Sequence, residues 1–183
     1  MEKTIKRELI RIAIVGPEST GKTTLAQQLA NHYKTAFVPE FARPYLDGIN
    51  RPYTLEDIIA ISKGQIQSED EIAAKANRLL ICDTNLIVTK IWAENSFKQC
   101  PGWISSSIKK RKYDLYLLCN IDIPWEPDPQ REHPNLREYL FKKYEVELGL
   151  QPTPHVIISG LQEARIKNAI KAIDKLLTYP GNN

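Results

Sequence analysis

Eight residues, Gly16-Pro17-Glu18-Ser19-Thr20-Gly21-Lys22-Thr23, have the types and the spacing to hold a chain of phosphates. They fit G-x-x-x-x-G-K-[ST], the Walker A loop. Glycine at both ends lets the chain wrap so closely that successive backbone N–H groups converge on phosphate oxygens. In such a loop Lys22 reaches the β- and γ-phosphates and the Thr23 hydroxyl can hold Mg2+. A helix starting here, with Thr24 in its first turn, aims the positive end of its dipole at the same anion. Residues 16–24 are therefore a candidate site for ATP and Mg2+.

Three further groups can complete the chemistry. Leu79-Leu80-Ile81-Cys82-Asp83 is an apolar run ending in a carboxylate, the form of a strand whose tip acts on Mg2+ directly or through water. Glu40, Arg43 and Tyr45 lie in Pro39-Glu40-Phe41-Ala42-Arg43-Pro44-Tyr45, just past a short apolar stretch. In open α/β sheets substrate residues stand beyond the carboxyl ends of strands, so these three are candidates for the acceptor side. Arg131 and Arg137 belong to a polar, proline-rich stretch over about 124–137 that reads as a lid. Arginines delivered in this way neutralise charge on a transferring phosphoryl group.

The elements that must carry these groups are legible in outline. Leu9 to Val15 is rich in β-branched residues, as a buried parallel strand is, and Leu25 and Leu29 mark one face of the helix after the loop. Thr35 to Val38 reads as a second strand, and Pro44 and Pro52 predict an irregular pocket wall after it. A long helical pattern runs from Thr54, as cap, to about Leu80, with Ile58, Ile61, Gln65, Ile72 and Ala76 as its buried stripe and Gly64 as a weak point. Leu86 to Ala93 is an apolar helix in which Trp92 reads as core. Lys109-Lys110-Arg111-Lys112 reads as a solvated helix end. Tyr113 to Asn120 and His155 to Ile158 are further strands, and Leu161 to Leu177 is a closing amphipathic helix. With right-handed crossovers the order predicts one domain over residues 1–183, a three-layer α/β fold whose five-stranded, mostly parallel sheet carries helices on both faces.

At 183 residues, 42% hydrophobic and 26% charged, the chain suits one soluble domain with a full core. A net charge of +3 is well short of a nucleic-acid-binding surface. No apolar run approaches membrane-spanning length, and Met1 to Glu8 lacks the apolar core of a signal peptide. Cys82, Cys100 and Cys119 have no paired spacing, and Cys82 and Cys119 read as buried apolar groups, which implies a reducing compartment; the cytoplasm is expected. His32, His133 and His155 are too dispersed for a zinc site.

The phosphate loop, Val38-Pro39-Glu40-Phe41-Ala42-Arg43, Asp83-Thr84 and Asp122-Ile123-Pro124-Trp125-Glu126 follow one another in an order that resembles the ribosylnicotinamide kinase domain of the bacterial NAD-biosynthesis regulator family. The resemblance covers nearly the whole chain. It implies transfer of the γ-phosphate of ATP to the 5′-hydroxyl of nicotinamide riboside, on a frame like those of nucleoside and nucleotide kinases. It also implies that Gly16 to Thr23 hold ATP·Mg2+, that Asp83 supports the metal, and that Glu40 and Arg43 line the riboside side. Asp122 to Glu126 would lead into the lid, and Trp125 would offer an aromatic surface to the pyridine ring. Two departures stand out. Asp128-Pro129-Gln130-Arg131 replaces an Asp-Gly turn and stiffens the lid entry, and Asn85 replaces the second acid of an Asp-Thr-Asp stretch. Longer family members place an adenylyltransferase domain, and some a DNA-binding helix-turn-helix, before the kinase; a chain starting a few residues before its first strand is expected to lack both.

Phosphoryl transfer needs positioning, charge neutralisation and one carboxylate to accept the hydroxyl proton. Glu40 and Asp83 are the candidates, and Glu40 is preferred because Asp83 serves the metal. Three other readings share the motifs: a kinase for another nucleoside or nucleotide, an ATP-hydrolysing switch without a small-molecule acceptor, and a kinase or ligase acting on nucleic-acid ends. The modest charge counts against the last.

Overall fold

The computed structural model describes residues 9–76 and 78–178. The N-terminal reading, Met1 to Glu8, lies outside them. In chain order the elements are β1 (Ile10–Val15), α1 (Lys22–Tyr33), β2 (Ala36–Val38), α2 (Ala42–Asp47), α3 (Leu55–Ala73), β3 (Leu79–Asp83), α4 (Leu86–Phe97), α5 (Gly102–Lys110), β4 (Leu115–Cys119), α6 (Arg137–Gly149), β5 (His155–Ile158) and α7 (Gln162–Thr178).

The strands form one sheet in the order β2-β3-β1-β4-β5, and every neighbouring pair is parallel. Parallel pairing requires crossovers that cover both faces, so each central strand is apolar on both sides. Alternation along β1 shows the division: Ala13 and Val15 belong to one core with Ile87, Ile104 and Leu148, while Ile12 and Ile14 belong to another with Leu25, Leu29 and Ile173. The sheet is thus a wall between two apolar layers. Its strand tips, Val15, Val38, Asp83 and Cys119, come out together at one end.

At the opposite end the sheet is tied by charge. Glu69, 1% exposed, accepts hydrogen bonds from Arg11 Nη1 at 2.8 Å, Arg111 Nη2 at 3.0 Å and the Tyr113 hydroxyl at 2.6 Å. Arg11 lies in β1, and Arg111 and Tyr113 lead into β4, so one carboxylate on α3 joins both central strands. This corrects one reading of the basic run. Lys109 and Lys110 do form an exposed helix end, but Arg111 turns inward to Glu69 and Asp70.

Three other expectations change. The segment after Pro39 is not irregular throughout, because Ala42 to Asp47 forms α2; Pro44 is tolerated there because its missing N–H falls in the first turn, where no intrahelical partner exists. The long helix is shorter than its pattern, since α3 stops at Ala73 and Leu79 begins a strand. Its start is as read: Asp57 Oδ2 accepts from Thr54 N at 2.7 Å and from Thr54 Oγ1 at 3.0 Å. Gly64 is not a weak point. A Cβ there would fall 2.3 Å from Phe41 Cε1, so the glycine is a notch in α3 that receives the Phe41 ring.

Candidate active site

Strand β1 ends at Val15, and the chain turns at once through Gly16 (φ 141°). A side chain there would stand 2.9 Å from the Cys119 carbonyl at the tip of β4. Only glycine lets the loop pass so near the neighbouring strand. Gly21 (φ 73°) then caps α1, so the loop closes directly onto a helix N-terminus.

Every position between these glycines has a fixed partner. The Pro17 carbonyl accepts from Thr20 Oγ1 at 2.8 Å and from Lys22 Nζ at 2.7 Å. Glu18 Oε2 accepts from the backbone N–H groups of Glu132 and His133, each at 3.1 Å. Ser19 Oγ accepts from Glu126 N at 2.9 Å and receives Arg131 Nη1 at 3.4 Å. The Thr20 carbonyl accepts from Arg165 Nη2 at 3.1 Å. The stretch read as a lid is therefore laid across the phosphate loop and fastened to it at Glu18 and Ser19.

The metal-binding candidates meet at the tip of β3. Thr23 Oγ1 donates to Asp83 Oδ2 at 2.6 Å, while Asp83 Oδ1 is buried and has no hydrogen-bond partner among the described residues. Burial pushes the Asp83 carboxyl up to about 6; the Thr23 hydrogen bond opposes this, and the nearby Glu40 charge adds to it. A hydroxyl beside a buried carboxylate with one free oxygen is a donor set suited to a hard divalent cation, so the residues fit Mg2+.

Glu40 follows β2 and lines a cavity of about 360 Å³ that opens beside the phosphate loop. Its backbone is held on both sides by one residue of α3: Gln65 Oε1 accepts from Phe41 N at 2.8 Å, and Gln65 Nε2 donates to the Pro39 carbonyl at 3.4 Å. The Phe41 ring in the Gly64 notch completes the hold. Glu40 itself accepts no hydrogen bond among the described residues. Arg43, also on the cavity, pairs with Asp128 at 3.1 Å. Arg51 pairs with Asp57 at 2.6 Å, and that arginine, first among several donors, holds the Asp57 carboxyl well below its usual range.

Residues 16–24, Glu40, Arg43 and Arg131 are brought together around one cavity, with Asp83 buried behind Thr23. Three candidates stand elsewhere. The Tyr45 hydroxyl donates to Asp57 at 2.9 Å and does not face the cavity. Arg137 directs Nη2 to the carbonyls of Ser19 at 3.1 Å and Ile123 at 2.9 Å, so it braces the lid base. Trp125 lies against that guanidinium, 6.0 Å from ring centroid to Cζ, outside the cavity lining. The aromatic wall comes instead from Trp92 and Tyr53, whose centroids are 4.9 Å apart. Trp92 is thus not simply core. The spacing Val88, Ile91, Trp92, Asn95 marks one face of α4, and its nearness in sequence to Asp83 was the signal that could have found it.

Sequence reasoning also missed Arg165. From α7 it donates to Asp122 Oδ1 at 2.9 Å, to the carbonyls of Asn120, Ile158 and Gly160, and to Thr20 of the phosphate loop. Asp122 in turn accepts from Gly160 N at 2.6 Å. The first residue of the Asp-Ile-Pro-Trp-Glu stretch is therefore a tie between the tips of β4 and β5.

The chain is similar to the trifunctional NAD biosynthesis/regulator proteins NadR of Salmonella typhimurium (29% identity) and Escherichia coli (30%), each over 124 residues and 66% of this chain. It spans 30% of the length of either relative. Among solved structures, a NadR protein in complex with NAD and AMP-PNP superposes with a TM-score of 0.76 at 23% identity, covering 96% of this chain and 51% of that one. Thymidylate kinase from Candida albicans superposes with a TM-score of 0.66 at 18% identity, covering 91% of both chains. These superpositions show the fold, a three-layer α/β frame built round a phosphate loop. Matched over residues 11–165, the chain belongs to the AAA domain family.

Proposed function

We propose that this protein is an ATP-dependent kinase that phosphorylates the 5′-hydroxyl of nicotinamide riboside to give nicotinamide mononucleotide. One observation supports this acceptor above others: the charge of the cavity wall. Both acceptor-side arginines are already neutralised, Arg43 by Asp128 and Arg51 by Asp57. Glu40 and Glu132 have no lysine or arginine partner among the described residues. Beside them stand the rings of Trp92 and Tyr53. A wall with aromatic rings and unneutralised carboxylates suits a flat cationic ring, and neither Arg43 nor Arg51 is left free for a phosphate already on the acceptor. That favours a nucleoside over a nucleotide.

In the proposed mechanism residues 16–24 hold the triphosphate of ATP, and Lys22 exchanges the Pro17 carbonyl for the β- and γ-phosphates. Thr23 and Asp83 would hold Mg2+, which would supply neutralisation of phosphate charge. Glu40, whose neighbours Pro39 and Phe41 are held by Gln65 and whose carboxylate has no hydrogen-bond partner among the described residues, accepts the proton of the attacking hydroxyl. Arg131 adds positive charge from the closed lid, while Arg137 keeps that lid in place. Exclusion of water by the fastened lid favours transfer to the acceptor over hydrolysis.

An ATP-hydrolysing switch fits the family but gives no reason for an aromatic, acidic cavity beside the phosphate loop. The test is transfer from ATP·Mg2+ to nicotinamide riboside, read by product mass, with cytidine, uridine and thymidine in competition. Preferential formation of nicotinamide mononucleotide is expected. Transfer to another nucleoside instead, or phosphate release at the same rate without any acceptor, would sink the proposal.

A further inference from the structure

We infer that Asn95 and His133 select the substituent on the acceptor ring and favour a neutral amide over a carboxylate; this rests on the riboside-kinase reading above. The wall of the cavity is one face of α4, which begins just after Asp83 and runs through Val88 and Trp92 to Asn95. At 1.5 Å per residue, Asn95 stands about 14 Å along the helix from Leu86. The face therefore starts beside Asp83 and finishes at Asn95, against which the far edge of the base would lie in the inferred complex.

At that point the lid meets the helix. Asn95 Nδ2 lies 3.2 Å from His133 Nε2, so the ring nitrogen accepts one amide hydrogen. The meeting is built rather than incidental, because the His133 backbone N–H is anchored on Glu18 at 3.1 Å. The pairing leaves Asn95 with a second N–H and with an Oδ1 that has no partner among the described residues. Glu132 adds a carboxylate: its Oε2 accepts from the Tyr53 hydroxyl at 2.6 Å and lies 3.8 Å from His133 Nε2.

An amide on the ring can satisfy this edge in both senses. Its carbonyl accepts from Asn95 Nδ2, and its NH2 donates to Asn95 Oδ1 or to Glu132. A carboxylate has no hydrogen to give, so it would face Oδ1 and the Glu132 charge without compensation. The arginines of the cavity wall are engaged: Arg43 and Arg51 are each bound to an aspartate, and Arg131 is turned to Ser19 Oγ and the Glu126 carbonyl.

The experiment measures kcat/KM with the amide riboside and with the same riboside carrying a carboxylate, for the wild type and two variants. The wild type is expected to prefer the amide by about tenfold or more. Asn95→Leu, which fills the space without hydrogen bonds, should lower kcat/KM for the amide and collapse the preference. Asn95→Asp, which still accepts from NH2 and adds negative charge, should widen it. Opposite movement of the ratio in two variants of one residue is a result that general loss of structure does not produce. An unchanged ratio in both, with the amide riboside still phosphorylated, would overturn the inference while leaving the kinase reading intact. Phosphorylation of neither riboside by a protein that binds ATP would remove both.

Discussion

The Thr23 hydroxyl donates a 2.6 Å hydrogen bond to Asp83 Oδ2, joining the last residue of the phosphate loop to the tip of the neighbouring strand. The two residues are 60 positions apart in sequence and come together because β1 and β3 pair in parallel, with Ile14 opposite Asp83. Asp83→Asn should keep this contact while removing the charge. Turnover is expected to fall by about 10²-fold or more, with Mg2+ titrations shifted to higher concentration. Unchanged metal dependence in that variant would exclude Asp83 from the metal site.

Without nucleotide or metal, the same carboxylate should shape the pH dependence of stability. Its folded pKa of about 6 stands above an ordinary value of 3.8, so between these pH values the folded state keeps a proton that the unfolded state has released. Stability contributed at Asp83 is therefore lost as pH rises from 3.8 to 6 and changes little beyond. Urea midpoints across this range, in the presence of a chelator, should fall for the wild type relative to Asp83→Asn, by an energy on the order of 3 kcal/mol. Parallel midpoints for the two proteins would refute the shift.

Glu40→Gln tests the proton acceptor. The amide keeps size and hydrogen-bonding capacity but accepts no proton at neutral pH. A kcat lower by about 10²–10⁴ is expected, with the KM for ATP little changed. Turnover within a few-fold of wild type would move the role elsewhere.

Gly64→Ala tests the notch. The added methyl would meet the Phe41 ring at 2.3 Å, an overlap that the ring must move to relieve. Thermal unfolding should show a loss of about 1–3 kcal/mol. Because Phe41 adjoins Glu40, kcat should fall as well. A second substitution, Phe41→Leu, should recover part of the stability.

Arg165→Met removes a guanidinium that joins five acceptors, among them Thr20 of the phosphate loop and Asp122. With those groups unpaired, destabilisation of about 2–4 kcal/mol is expected, together with a raised KM for ATP. Chemical denaturation beside nucleotide titration would check both.

The phosphate loop, the strand ending in Asp83 and the alternation of strand and helix were legible because each is a local pattern: fixed spacing, apolar runs, a cap. The sheet and its parallel order follow from those patterns together with the handedness of crossovers. What sequence could not show depends on contacts between distant residues. Gly64 looks like a helix breaker until Phe41 is seen in its notch. Trp125 looks like the aromatic platform, but the lid turns it under Arg137, while Trp92 reaches the cavity from a helix that reads as uniformly apolar. Arg165 and Glu69 carry no motif, since their partners are mainly carbonyls and charges brought in by the fold.

The consensus for the phosphate loop writes four of its eight positions as x, free to vary. In this protein none of the four is free. Pro17 offers its carbonyl to Thr20 and Lys22, Glu18 and Ser19 hold the lid, and Thr20 gives its carbonyl to Arg165. A wild card in a pattern records that different lineages fill a position differently, not that any one of them can change it alone. Transplanting a phosphate loop from another protein into this one would satisfy the consensus letter for letter and still leave the lid without its fastenings.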